Sequence, residues 1–276
     1  MMQTLEFQPE WASPPGETIS ELLAERELTV EDMVSCIGLS KKEAIALLNG
    51  NLPVCDALAE NLQMLFKVSA EFWLSRESTY RSSLKYLSQK QADEESWLNS
   101  LPLSDLKKWG FIPSRASVKE QLKAALSFFG VSSVDDWDAR YAAKQNMVAF
   151  RTSSSFDSAP MSVLTWLRKA EIDTEQLKCE EWNSDSLLQA IPEIRKLTRE
   201  DQPEVFMAEL KKLLATCGVA LAFVKTPKGC SASGATYFPE PNRALIVLSG
   251  RYLTDDHLWF TVFHEIGHLI LHSKDC

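Results

Sequence analysis

Apolar side chains recur at helical spacing along most of the chain, and strand-like runs occur only between residues 219 and 248. Ser13-Pro-Pro-Gly-Glu17 opens a helix that runs through Glu27. Thr29 caps a second, Val30 to Ile37, and Gly38-Leu-Ser40 turns into a third, Lys41 to Leu48, closed by Asn49-Gly50. A fourth helix is expected near Asp56 to Phe66, and Ser69 caps a fifth carrying Phe72, Trp73 and Tyr80. From Gln89 to about Pro203 the pattern stays helical. It breaks at Leu101-Pro102 and Phe111-Ile-Pro113, resumes over Val118–Phe129 up to Gly130, and continues over Ser132–Ala143 and Met161–Ala170, with a polar link from Arg151 to Pro160. A helix from Pro203 to Cys217 ends at Gly218. The strand-like runs Val219–Val224, Ala235–Phe238 and Ala244–Leu248 follow, before a last helix. The order predicts an α+β fold, predominantly helical, in three parts: residues 1–88, 89–200 and 201–276.

With 45% hydrophobic residues over 276 positions, the chain can bury a sizeable core. Its net charge of −9 excludes a global electrostatic attraction to nucleic acid or anionic membrane. The six cysteines, at 36, 55, 179, 217, 230 and 276, show no C-x-x-C spacing and read as reduced thiols. The first residues lack a basic and apolar leader pattern, and no apolar run reaches membrane-spanning length, so a cytoplasmic protein is expected.

All four histidines, His257, His264, His268 and His272, fall in the last helix, where Thr254 is the expected N-cap and Asp255 and Asp256 favour the first turn. Residues four apart stack on one helix face, so His264 and His268 can direct two imidazoles at one point. Glu265 lies roughly 100° further round. This is the zincin pattern His-Glu-x-x-His, with His264 and His268 as metal ligands and Glu265 as general base toward water. Zinc is the default ion for such donors, and manganese the alternative. Gly267 suggests close backbone packing at that turn, and the apolar neighbours Phe260, Val262, Phe263, Ile266, Leu269, Ile270 and Leu271 suggest a largely buried helix. His272 drifts off the ligand face and reads as a supporting residue, and His257 as a surface one.

Pro15-Gly-Glu-Thr-Ile-Ser-Glu-Leu-Leu, Leu39-Ser-Lys-Lys-Glu-Ala-Ile-Ala-Leu-Leu-Asn-Gly50 and Phe72-Trp-Leu with Tyr80 resemble the Cro/repressor-type helix-turn-helix of HigA-like antitoxins. That resemblance implies that the third helix enters the major groove, with Lys41, Lys42 and Asn49 as DNA-binding residues. Residues 17–88 carry eleven acidic against seven basic side chains, a net −4, so operator binding and a protein-interaction or dimerisation module both stay open.

Gly218-Val219, Ser233-Gly-Ala-Thr236, Ala244-Leu-Ile-Val-Leu-Ser249 with Arg251, and Trp259 through His272 closely resemble the ImmA/IrrE metallo-endopeptidases. With the front end and Phe150-Arg151, the resemblance covers most of the chain. It implies a regulatory peptidase that cleaves a repressor-type or antitoxin protein through a metal-activated water, with an edge strand to hold an extended peptide. The partners implied are that protein substrate, operator DNA through the helix-turn-helix, and a second copy of the chain, with no membrane. The family pattern continues into another helix that supplies an acidic third ligand, whereas this sequence ends at Ser273-Lys-Asp-Cys276. The third ligand is then expected beyond Cys276, with Asp275 or His272 as the alternatives. The runner-up function is a helix-turn-helix regulator or antitoxin whose zincin-like half senses or dimerises without catalysis.

Overall fold

A computed structural model describes residues 10–141, 158–250 and 255–272, except the side chains of Asp255 and His272. Phe150, Arg151, Arg251, Thr254 and residues 273–276, on which expectations fall, lie outside the described residues. The fold is α+β and predominantly helical, with one three-stranded sheet among the described residues. It forms two compact units, the first ending at Glu94 and the second beginning at Glu95.

The first unit contains α1 (Pro15–Glu25), α2 (Val30–Ile37), α3 (Lys41–Leu48), α4 (Asp56–Phe66) and most of α5 (Ala70–Ser100). Two capping boxes set the starts of α2 and α3. Thr29 accepts from the Asp32 backbone N–H while Asp32 accepts from that of Thr29, and Ser40 and Glu43 repeat the exchange. Between them Gly38 takes the left-handed conformation that ends α2. One apolar face of each helix meets the others in a core that includes Ile19, Met33, Ile37, Leu47, Leu62, Phe66 and Trp73. Gly16 permits the tightest approach. A Cβ there would lie 2.0 Å from the Leu48 carbonyl oxygen, so α1 and α3 meet backbone to backbone.

The second unit adds α6 (Leu103–Lys108), α7 (Val118–Phe129), α8 (residues 134–141), α9 (Pro160–Thr174), α10 (Ser184–Leu197) and α11 (Pro203–Ala215). Strands β1 (Val219–Phe223), β2 (Gly234–Glu240) and β3 (Arg243–Leu248) follow, then α12 (Asp255–His272). Trp97, Phe128, Phe129, Trp137 and Tyr141 pack edge-on or stacked in an aromatic core between the end of α5 and helices α7 and α8.

The sheet order is β1-β3-β2, with β1 parallel and β2 antiparallel to β3. Successive side chains leave opposite faces. Val219, Leu221, Ala244, Ile246 and Leu248 therefore join α10, α11 and α12 on one side. Ala220, Ala222, Leu245 and Val247 meet Val163, Trp166 and Ala170 of α9 on the other. Covered on both faces, β1 and β3 read as continuous apolar runs rather than alternating ones. Trp166 is fully buried, and its indole N–H donates to the Val224 carbonyl at 2.7 Å. Tyr237 of β2 donates to Glu171 of α9 at 3.1 Å, while Arg168 donates to the same carboxylate at 2.8 Å. Burial, reinforced by the Glu171 charge, pushes the Tyr237 hydroxyl well above its ordinary value. Residues from 160 onward thus supply a layer of the sheet's own packing.

Candidate metal centre

Helix α12 lies on the sheet through Trp259, Val262, Ile266 and Leu269, all buried. The expectation of a largely buried helix needs correction, because Phe260 is 70% and Leu271 75% exposed. At 100° per residue these two fall on the flank opposite Val262 and Ile266, so apolar content alone does not put every side of α12 inside. His264 and His268 share the outward flank and are exposed, as is His257.

The two imidazoles converge. Their Nε2 atoms are 3.1 Å apart, and the rings lie nearly perpendicular with centroids 4.6 Å apart. Two nitrogens at zinc-ligand distance on a tetrahedral ion would sit about 3.3 Å apart, so this pair fits a shared divalent ion with almost no adjustment. The same separation lets one imidazole donate to the other. Phe260, one turn earlier, stacks on His264 with an interplanar angle of 14° and limits its rotation. Among the described residues, no group of three or more His, Cys, Asp or Glu side chains gathers around one point. The His272 side chain and Asp275 lie outside those residues.

Glu265, about 100° round the helix from His264 and about 60° from His268, turns toward the sheet and is 6% exposed. Burying a carboxylate demands hydrogen bonds, and β2 supplies one: Thr236 Oγ1 donates to Glu265 Oε2 at 2.7 Å. Thr236 is itself buried, facing α12 because its neighbour Tyr237 faces α9. The other oxygen lies against Gly234, where a Cβ would come within 2.6 Å of Oε1 and 2.7 Å of Thr261 Cγ2. The close approach expected at Gly267 is therefore found at Gly234 instead; a Cβ at Gly267 would meet nothing within 4 Å.

The structure brings His264 and His268 together on the outward flank, while Glu265 does not gather with them around one point and is anchored to the sheet instead. It adds Thr236 and Gly234, whose signal in the sequence was only their place in Ser233-Gly-Ala-Thr236. Lys41, Lys42 and Asn49 lie in the first unit, all exposed, at the two ends of α3. Lys41 Nζ is 2.7 Å from Glu31 Oε1, and this contact lowers the Glu31 carboxyl below its ordinary value. Such an exposed pair is weak and leaves Lys41 available to a stronger anion. The described cysteines are free thiols, with Cys36 and Cys55 at the surface. No described helix is long and apolar enough to cross a membrane. No protein-family model, curated protein or solved structure matches the chain.

Proposed function

We propose that this chain is a metal-dependent endopeptidase with a regulatory role, cleaving a repressor-type or antitoxin protein. The observation that carries the reading is the division of labour on α12: two imidazole nitrogens 3.1 Å apart on its outer flank, beside a carboxylate fixed by Thr236. His264 and His268 would hold a zinc or manganese ion, and a bound ion supplies Lewis acidity that brings water toward nucleophilicity near neutral pH. Glu265 accepts the proton that water gives up and returns it to the departing amine. The Thr236 hydroxyl keeps the carboxylate in one orientation, so little ordering remains for the reaction step. Strand β2, at an edge of the three-stranded sheet and in contact with Glu265, is the strand an extended peptide would lie against. A cytoplasmic setting goes with this reading, since surface Cys36 and Cys55 are free thiols.

Glu265→Gln tests the mechanism. It should abolish cleavage of a co-incubated repressor or antitoxin protein while leaving the fold and zinc binding intact; unchanged cleavage would refute it.

A second reading, a helix-turn-helix regulator with a non-catalytic partner half, draws on α2 and α3. Their tight Gly38 turn and the exposed Lys41, Lys42 and Asn49 suit major-groove docking. It expects a salt-sensitive gel shift that Lys41→Ala with Lys42→Ala removes, and it fails if no shift occurs at low salt.

A further inference from the structure

Strand β2 is held from both faces by neighbouring residues. Thr236 reaches α12 and donates to Glu265, while Tyr237, the next residue, turns to α9 and donates to Glu171 Oε1 at 3.1 Å, with the Leu167 carbonyl at 3.3 Å as its second acceptor. Arg168 Nη1 donates to the other Glu171 oxygen at 2.8 Å, and Arg168 Nε donates to the Phe128 carbonyl, at the end of α7, at 2.9 Å. The Arg168 and Glu171 side chains are only 22% and 14% exposed, so water screens their pairing little and the carboxylate has a fixed place at which to meet Tyr237. A phenylalanine at 237 would fill the same space with no hydroxyl to satisfy, and burying a guanidinium with a carboxylate adds little stability. What this arrangement secures is position.

We propose that Tyr237 and Glu171 are positioning residues for the general base, acting through Thr236 from the opposite face of the sheet. The assignment rests on the peptidase reading and deepens it. Strand β2 needs such a hold. It lies at an edge, paired with β3 alone, and its regular register runs from Gly234 to Tyr237 and shifts before Glu240. A strand bonded along one side has a single ladder to fix its twist. Because successive side chains leave opposite faces, a rotation that carries Tyr237 away from α9 also swings Thr236 relative to α12. The Thr236 bond to Glu265 is 2.7 Å long, and a displacement of about 0.8 Å stretches it to the limit of hydrogen-bond range. The Tyr237 hydroxyl therefore sets where Thr236 meets the carboxylate.

Tyr237→Phe and Glu171→Gln test this, each keeping the size of the side chain it replaces. The first readout needs neither metal nor substrate: three-bond couplings to the Thr236 methyl carbon report its χ1 rotamer by NMR. The unaltered protein should show one rotamer and both variants an average of several, with amide exchange in α9 and β3 unchanged. The second readout is hydrolysis, by the zinc-supplied protein, of the repressor or antitoxin protein used with Glu265→Gln. There kcat should fall about five- to tenfold, the worth of one hydrogen bond, with KM and zinc affinity within about twofold. Tyr237→Phe added to Thr236→Val should cost nothing more, whereas a purely structural role would add its own loss. A single Thr236 rotamer in both variants overturns the proposal, and so does an additive double variant. Rotamers that respond as expected in a protein that cuts nothing would support the positioning of Thr236 and count against the peptidase reading; cleavage that neither variant slows, with Thr236 fixed, would do the reverse.

Discussion

Replacing Gly234 by alanine puts a methyl group 2.6 Å from Glu265 Oε1, 2.9 Å from Glu265 Cγ and 2.7 Å from Thr261 Cγ2. Ordinary contact begins near 3.4 Å, so about 0.8 Å must be found at the closest point. Turning one side chain aside cannot provide it, because Glu265 and Thr261 close in from successive turns of the same helix. Either α12 lifts from β2 or Glu265 leaves Thr236. Lifting the helix is a case of overpacking, costing typically 1–3 kcal/mol. Releasing the carboxylate forfeits a charge-assisted hydrogen bond of about 1.5–3 kcal/mol. The expected destabilisation is therefore about 2–3 kcal/mol, confined to the second unit. Native-state hydrogen exchange separates the units: amides of β2 and α12 should lose protection by roughly 30-fold or more, while those of α1 to α4 stay unchanged. A change below about 0.5 kcal/mol in β2 and α12 would refute the close-packing argument, since substitutions without such a mechanism usually fall within that range.

Thr236→Val should destabilise α12 by about 1–3 kcal/mol, because the buried carboxylate loses its donor, and should lower kcat with zinc affinity retained. Thr236→Ser should restore both, as measured by hydrogen exchange, zinc titration and peptide hydrolysis. Gly16→Ala sets a methyl against the Leu48 carbonyl at 2.0 Å, where backbone faces backbone; α1 to α4 should lose about 1–3 kcal/mol or more in the same exchange experiment, with β2 and α12 unaffected. The Asp32 and Glu43 carboxyls are held below their ordinary values by hydrogen bonds from Thr29 and Ser40. Their contribution is complete above the unfolded values near pH 4 and is lost as pH falls through the lower folded ones, so the melting temperature of the first unit should drop from about pH 4 downward. Asp32→Asn with Glu43→Gln should flatten that part of the profile.

Local signals were legible in the sequence and distant contacts were not. Helices Val30–Ile37 and Lys41–Leu48 have the bounds expected of them, and Val118–Phe129 ends at Gly130 as expected, because Thr29, Ser40, Gly38 and Gly130 act on backbone only a few residues away. The break at Leu101-Pro102 ends α5 at Ser100. The convergence of His264 and His268 followed from their spacing alone. What escaped was the partner of each face. Nothing around Pro160–Thr174 announces that Trp166 covers the sheet from below, and Pro192 lies inside α10 rather than ending it. Gly267 drew attention by its cost to a helix, yet the glycine that matters to the site is Gly234, 31 residues before Glu265, whose role depends on how α12 crosses β2. Thr236 escaped likewise, as a buried threonine acquires chemistry only from what it faces.

Helix α12 is fastened to the sheet by Trp259, Val262, Ile266 and Leu269 and by the bond from Thr236 to Glu265, none of which involves an imidazole. In zinc-finger-like domains ligand capture and folding are one equilibrium; at the proposed site here they would be two. Under the proposed function, the packing of α12 on the sheet and the bond from Thr236 to Glu265 would not pass through a bound ion. With His264 and His268 on the solvent side, occupancy of the proposed site would follow the free-metal level of the surroundings. An enzyme built this way would be set by ion supply as by a dimmer, holding a pool of folded, idle molecules ready for activation.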